Sequence, residues 1–116
     1  MIRKKLHWWG KEKPLGVSDV GLARSFWLRL RGLLGRPALV SGQGILIQPC
    51  NAIHTWFMGF AIDVVFVSRD DEVLALFSHV PPWRYRQCLK ARYVVELAAG
   101  DIERLELTVG DRCQWR

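Results

Sequence analysis

Cysteine is scarce and odd in number: Cys50, Cys88 and Cys113 are the only three. They match no zinc-ligand spacing and cannot complete a disulfide framework. Reduced thiols in a cytoplasmic compartment are therefore expected. Acidic residues are also few, 11 against 17 lysines and arginines, for a net charge of +6. That balance permits attraction to anions, nucleic acid or anionic lipid, but the basic residues are scattered and no recognisable nucleic-acid module is present. Long apolar runs are absent as well. The stretch from Pro37 to Ile62 carries no formal charge, yet Gln43, Gln48, Pro49, Asn51, His54 and several glycines interrupt it. A membrane-spanning helix needs about 20 mostly apolar residues, so a buried sheet is the expectation. The basic start, MIRKKLHWWGKEKP, has no apolar stretch long enough for a signal peptide. No phosphate loop, metal box or complete catalytic triad is spelled out.

What is present fits one domain. A chain of 116 residues buries a core without disulfide or metal staples. Residues 1–14 are expected to be a weakly ordered basic arm, with a strand near Leu6–Trp9 that folds back onto a body spanning 15–116. Leu22, Ala23, Phe26, Trp27, Leu30, Leu33 and Leu34 follow helical spacing, so the pattern predicts a main helix over Asp19–Leu34, capped by Ser18 or Asp19. A short strand is expected at Ile45–Gln48, a β-branched strand at Ile62–Ser68 and its hairpin return at Glu72–Val80. Beyond a loop from Pro81 to Lys90 come a strand at Val94–Leu97, a short helix after Gly100 with Ile102 and Leu105 inward, and a last strand at Arg112–Trp115. Short strands outnumber one main helix, an α+β pattern.

The run CNAIHTWFMGFAIDVVFV, Cys50 to Val67, sets four polar or polarisable side chains among apolar ones. Cys50, His54 and Met58 are ligand types suited to copper. If residues 54–58 are extended, His54 and Met58 share a side but stand roughly 13 Å apart at strand rise, so no metal site is expected. Cys50 with His54 has the elements of a nucleophile and base, but no third orienting group is visible. Asp63 is the stronger signal, because an acid in FAIDVVFV needs a partner. The expected partners are His54, Arg31 or Arg36, in a buried salt bridge or in a polar pocket around a small anionic ligand. The loop Pro81–Arg86 is a second candidate: Arg84 and Arg86 beside Trp83 and Tyr85 suit carboxylate, phosphate or protein recognition.

RGLLGR (31–36), Gly44–Leu46, HTWFM (54–58), IDVVF (62–66), VVELAAG (94–100) and VGD (109–111) occur in this order with a hairpin and a Pro-rich loop between them. The ordered set resembles the bacterial and archaeal domain-of-unknown-function family 192 over residues 17–115. The resemblance implies a compact β-rich α+β domain with a partly closed mixed or antiparallel sheet, and transfers no activity. Function therefore rests on the residues. The expectation is a non-catalytic binding or accessory domain for a small anionic ligand or peptide, with His54, Asp63, Arg31, Arg36 and Arg84 at its site and no cofactor. The alternatives are a hydrolase or transferase using His54 and Asp63 as acid–base groups, and a basic nucleic-acid-binding surface.

Overall fold

Alternation of side chains, rather than helical spacing, governs most of the chain. The computed structural model describes residues 2–23 and 39–115. Nine strands lie among them: β1 (Arg3–Trp9), β2 (Pro14–Ala23), β3 (Gln43–Ile47), β4 (Ala52–His54), β5 (Ile62–Val67), β6 (Val73–Val80), β7 (Tyr85–Gln87), β8 (Tyr93–Ala98) and β9 (Arg112–Trp115). One short helix, α1, spans Asp101–Leu105. Seven strands form a sheet in the order β6-β5-β8-β3-β2-β1-β9, and β4 pairs with β7 as a separate ribbon. All neighbours in the large sheet are antiparallel except β2 and β3, which are parallel.

The sheet curls until its ends meet. The Val73 N–H donates to Asp111 O at 2.7 Å, Gly110 N–H to Val73 O at 2.9 Å and Cys113 N–H to Asp71 O at 3.0 Å. The start of edge strand β6 is thus stitched to the start of edge strand β9. Such closure removes part of the exposed edge that an open sheet leaves unpaired. The molecule is a single compact β-rich domain with a curled mixed sheet.

Curling gives the sheet two buried faces. Inside lie Leu6, Trp8, Val20, Leu46, Val65, Val67, Tyr93, Val95, Leu97 and Cys113, plugged by Ile102 and Leu105 of α1. Outside, Ile45, Ile47, Ile62, Val64, Phe66 and Val94 pack with Ile53 and Met58 from the ribbon side. β5 and β8 are buried at every position, which is why their sequences read as near-continuous apolar runs. At Gly44 a Cβ would meet the Glu96 carbonyl oxygen at 2.6 Å, so only glycine lets β3 lie this close to β8.

Two expectations are corrected at the N-terminal side. Residues 3–9 are not a weakly ordered arm: β1 is paired on both sides, with β2 and β9, and Trp8 is fully buried with its Nε1–H donating to Ser18 Oγ at 2.9 Å. The start of the expected main helix is strand, since β2 runs through Asp19 to Ala23. Ser18 and Asp19 are strand residues rather than caps; Asp19 pairs with Arg3 at 3.2 Å and Lys5 at 3.5 Å. The remainder of that expected helix, with Arg31 and Arg36, lies outside the described residues. The hairpin, α1 and the last strand stand where expected. The β5–β6 turn is organised by Ser68 Oγ, which accepts from Asp70 N–H and Glu72 N–H.

Candidate functional site: an aromatic and arginine platform

The ribbon brings together the two segments that sequence reasoning held apart. β4 pairs antiparallel with β7, Ala52 with Gln87, Ile53 with Arg86 and His54 with Tyr85. The HTWFM segment and the Pro81–Arg86 loop therefore form one surface. Thr55 joins them. It is fully buried; its hydroxyl donates to Pro81 O at 2.6 Å and accepts from Arg84 N–H at 2.9 Å. Its backbone N–H donates to Arg84 O, and its carbonyl accepts from Trp83 N–H and Met58 N–H. Strand β4 stops at His54 because Thr55 turns the chain into this loop junction. Residues 54–58 are consequently not extended, and the strand-rise separation expected between His54 and Met58 does not apply.

Four large aromatics project from the junction: Trp56, Phe57, Trp83 and Tyr85 are 46%, 67%, 57% and 53% exposed. Phe57 and Trp83 meet edge to face with ring centroids 5.0 Å apart, and Trp56 lies 4.7 Å from the His54 ring. Both Phe57 (φ 68°) and Trp83 (φ 66°) sit in the left-handed region, where bulky residues pay a conformational cost. Arg84 is exposed and, among the described residues, its Nη1 reaches only the neighbouring Trp83 O, at 3.4 Å. Arg86 lies 5.5 Å over the Phe77 ring and donates to Tyr85 O, anchoring the ribbon to the outer sheet face.

Asp63 occupies a different layer. It is fully buried. One carboxylate oxygen accepts the His79 N–H at 2.8 Å; the other accepts Gly100 N–H at 3.0 Å and Ile102 N–H at 2.9 Å. The left-handed Gly100 (φ 98°) aims its N–H at this carboxylate. Asp63 thus ties the end of β6 to the start of α1, and β6 leads directly into Pro81 of the platform. Neighbouring Asp101 is also buried: burial raises its pKa, but the Arg104 guanidinium, Gly42 N–H and Ser41 hydroxyl together hold the carboxyl below the usual range. Cys50 Sγ donates to Ala52 O. Among the described residues, no group of three or more His, Cys, Asp or Glu is placed to hold a metal ion. No described helix is long and apolar enough to cross a membrane. The aromatic exposure at Trp56 and Phe57 was missed in the sequence, where they read as part of an apolar run.

Fold and platform together define a small curled-sheet domain with a projecting two-stranded ribbon. The chain belongs to the domain-of-unknown-function family 192, described as an uncharacterised ACR, whose model matches residues 10–115. It is 38% identical over 104 residues to a UPF0127 protein of Pyrococcus furiosus, covering 84% of this chain and 86% of that one. A UPF0127 protein of Thermococcus sibiricus is 34% identical over 102 residues, covering 83% and 65%. The fold is similar to a crystal structure of a protein of unknown function from Novosphingobium aromaticivorans, with a TM-score of 0.82, 21% identity, and 96% and 84% of the two chains covered. A Sinorhizobium meliloti structure, named only as a candidate transcription regulator, has a TM-score of 0.84 at 20% identity over 98% and 94%. At these identities the two structures show the fold alone.

Proposed function

We propose that the domain is a non-catalytic binding module whose platform takes an acidic peptide segment bearing apolar or aromatic side chains. One observation carries this reading: Phe57 and Trp83, exposed and held in left-handed backbone, pack edge to face beside Arg84. Exposed aromatic clusters rimmed by arginine are characteristic of recognition surfaces, and guanidinium groups match carboxylates. His54, Trp56, Phe57, Trp83, Arg84 and Tyr85 would contact the peptide. Asp63 acts as a positioning residue, through His79 and the β6 end that feeds the loop. Acid–base catalysis has less support, because both Asp63 oxygens are engaged by main-chain amides in a fully buried position. The odd count of three cysteines, which cannot complete a disulfide framework, supports a cytoplasmic setting.

The test is fluorescence polarisation with a labelled peptide of alternating glutamate and leucine, beside a lysine–leucine control and a single-stranded oligonucleotide. Saturable binding of the acidic peptide, weakened by salt, is expected. Trp83→Ala or Arg84→Ala should weaken it about tenfold or more with little change in melting temperature. Equal affinity for the control, indifference to these substitutions, or tighter binding of the oligonucleotide would overturn the reading.

A further inference from the structure

The end of the curled sheet opposite the platform holds a cavity that the binding surface above does not use. It opens where β5 ends and β6 begins, whereas the platform lies where β6 ends. Its volume is about 470 Å³, and it is lined by Gln48, Arg69, Asp71, Arg92, Tyr93 and Trp115. These come from the ends of β3 and β9, the β5–β6 turn and the approach to β8, which the curl gathers at one mouth.

The frame of this cavity is fixed. Asp71, left-handed at φ 65°, accepts the Tyr93 hydroxyl at 2.8 Å on its side chain and the Cys113 N–H at 3.0 Å on its backbone. The Arg92 N–H donates to Val67 O at 2.8 Å. Both arginine-bearing segments are therefore pinned by main-chain bonds. The guanidinium groups of Arg69 and Arg92 make no hydrogen bond or ion pair with any described residue. The rings of Tyr93 and Trp115 meet edge to face at 6.2 Å and supply an aromatic wall.

We propose that this cavity is a distinct binding site for a small oxyanion, a carboxylate or a phosphate, that also carries a hydrogen-bond donor. Arg69 and Arg92 take the anionic head, since planar guanidinium groups match both geometries. Two guanidinium groups against one carboxylate leave the lining net positive. Asp71 has one oxygen occupied by Tyr93; the other faces the ligand's donor, a hydroxyl, an ammonium or the P–OH of a phosphate monoanion. Gln48 offers an amide to the same ligand.

The experiment titrates the intact chain with inorganic phosphate, and separately with malate, at constant ionic strength, following backbone amide resonances. Saturable shifts confined to Gln48, Arg69, Asp71, Arg92, Tyr93 and Trp115 are expected for at least one probe, and the probe that saturates identifies the head group. Arg69→Ala and Arg92→Ala should each weaken that binding about tenfold, Arg92→Lys should weaken it less, and Lys11→Ala should leave it unchanged. Shifts that never saturate with either probe, or that persist in the Arg69→Ala/Arg92→Ala double variant, would mean that the arginines are only solvated and would overturn the proposal. Loss of peptide binding at the platform has no bearing on these resonances, so the two readings fail separately.

Discussion

Asp63 shows how a single acid in an apolar strand organises structure at a distance. Its carboxylate gathers N–H groups from residues 16, 37 and 39 positions away in sequence, joining β5, β6 and α1. Hydrogen bonds to a charged acceptor are stronger than neutral ones. Asp63→Asn keeps the shape but turns an amide NH₂ toward one set of N–H donors. A loss of about 3 kcal/mol in urea unfolding is expected. A loss under about 1 kcal/mol would show that the carboxylate is not holding these elements together. That Asp63 needs partners is readable from its apolar surroundings. The partners' identity is not, because main-chain N–H groups carry no side-chain signature, and charged side chains were the visible candidates. The exposed aromatics beside Arg84 were legible for the opposite reason: Trp83 and Tyr85 stand between prolines and arginines, which marks the loop directly.

At the scale of elements, legibility follows burial. β5, β8 and the β5–β6 hairpin are doubly buried or bounded by a clear turn, so their runs announce themselves. The β1–β2 hairpin does not. Only Leu6 and Trp8 of β1 are buried, among lysines and a histidine that face solvent, and Ser18-Asp19 imitates a helix cap. The ribbon was half legible: both strands lie in segments marked as candidates, but their pairing depends on Thr55, a residue with no distinguishing sequence context. Thr55→Val removes the hydroxyl that serves Pro81 O and Arg84 N–H while preserving volume. Leaving buried main-chain groups unsatisfied costs about 1–3 kcal/mol. The variant should unfold at lower denaturant by that amount, and hydrogen exchange at the Arg84 amide should quicken. Thr55→Ser should restore most of both. Unchanged exchange at Arg84 in the valine variant would show that the two loops are held by their backbone bonds alone.

The whole molecule depends on how its sheet closes, and the chemistry of closure is titratable. Tyr93, on β8, donates its hydroxyl to Asp71 in the β5–β6 turn and lies 3.0 Å from Cys113 Sγ on β9. Burial raises the pKa of both groups. The Cys113 thiol is pushed up to about 11 from an ordinary 9.0, chiefly by burial and further by the Asp71 carboxylate, against the opposing effects of the Tyr93 hydrogen bond and Arg112. The Tyr93 phenol is raised as well, by burial first and then by Cys113 and Asp71. The folded chain therefore keeps protons that the unfolded chain releases earlier. With more protons bound in the folded state, stability falls as pH rises, beginning near 9 where an unfolded thiol ionises and continuing toward 11. The same closure shields the sulfur, since Cys113 is 4% exposed while Cys50 and Cys88 are half-buried. Iodoacetamide labelling followed by mass spectrometry should modify Cys113 more slowly than either other cysteine at neutral pH, and only at the rate of global unfolding. Tyr93→Phe leaves the ring in place but removes the hydroxyl from the seam. It should lower stability and speed Cys113 labelling at neutral pH, while the fall of stability with rising pH becomes shallower, because one group that keeps its proton only in the folded chain is gone. If Cys113 instead reacts as fast as Cys50 in the folded parent chain, the seam between β6 and β9 opens locally, and the sheet is curled without being closed.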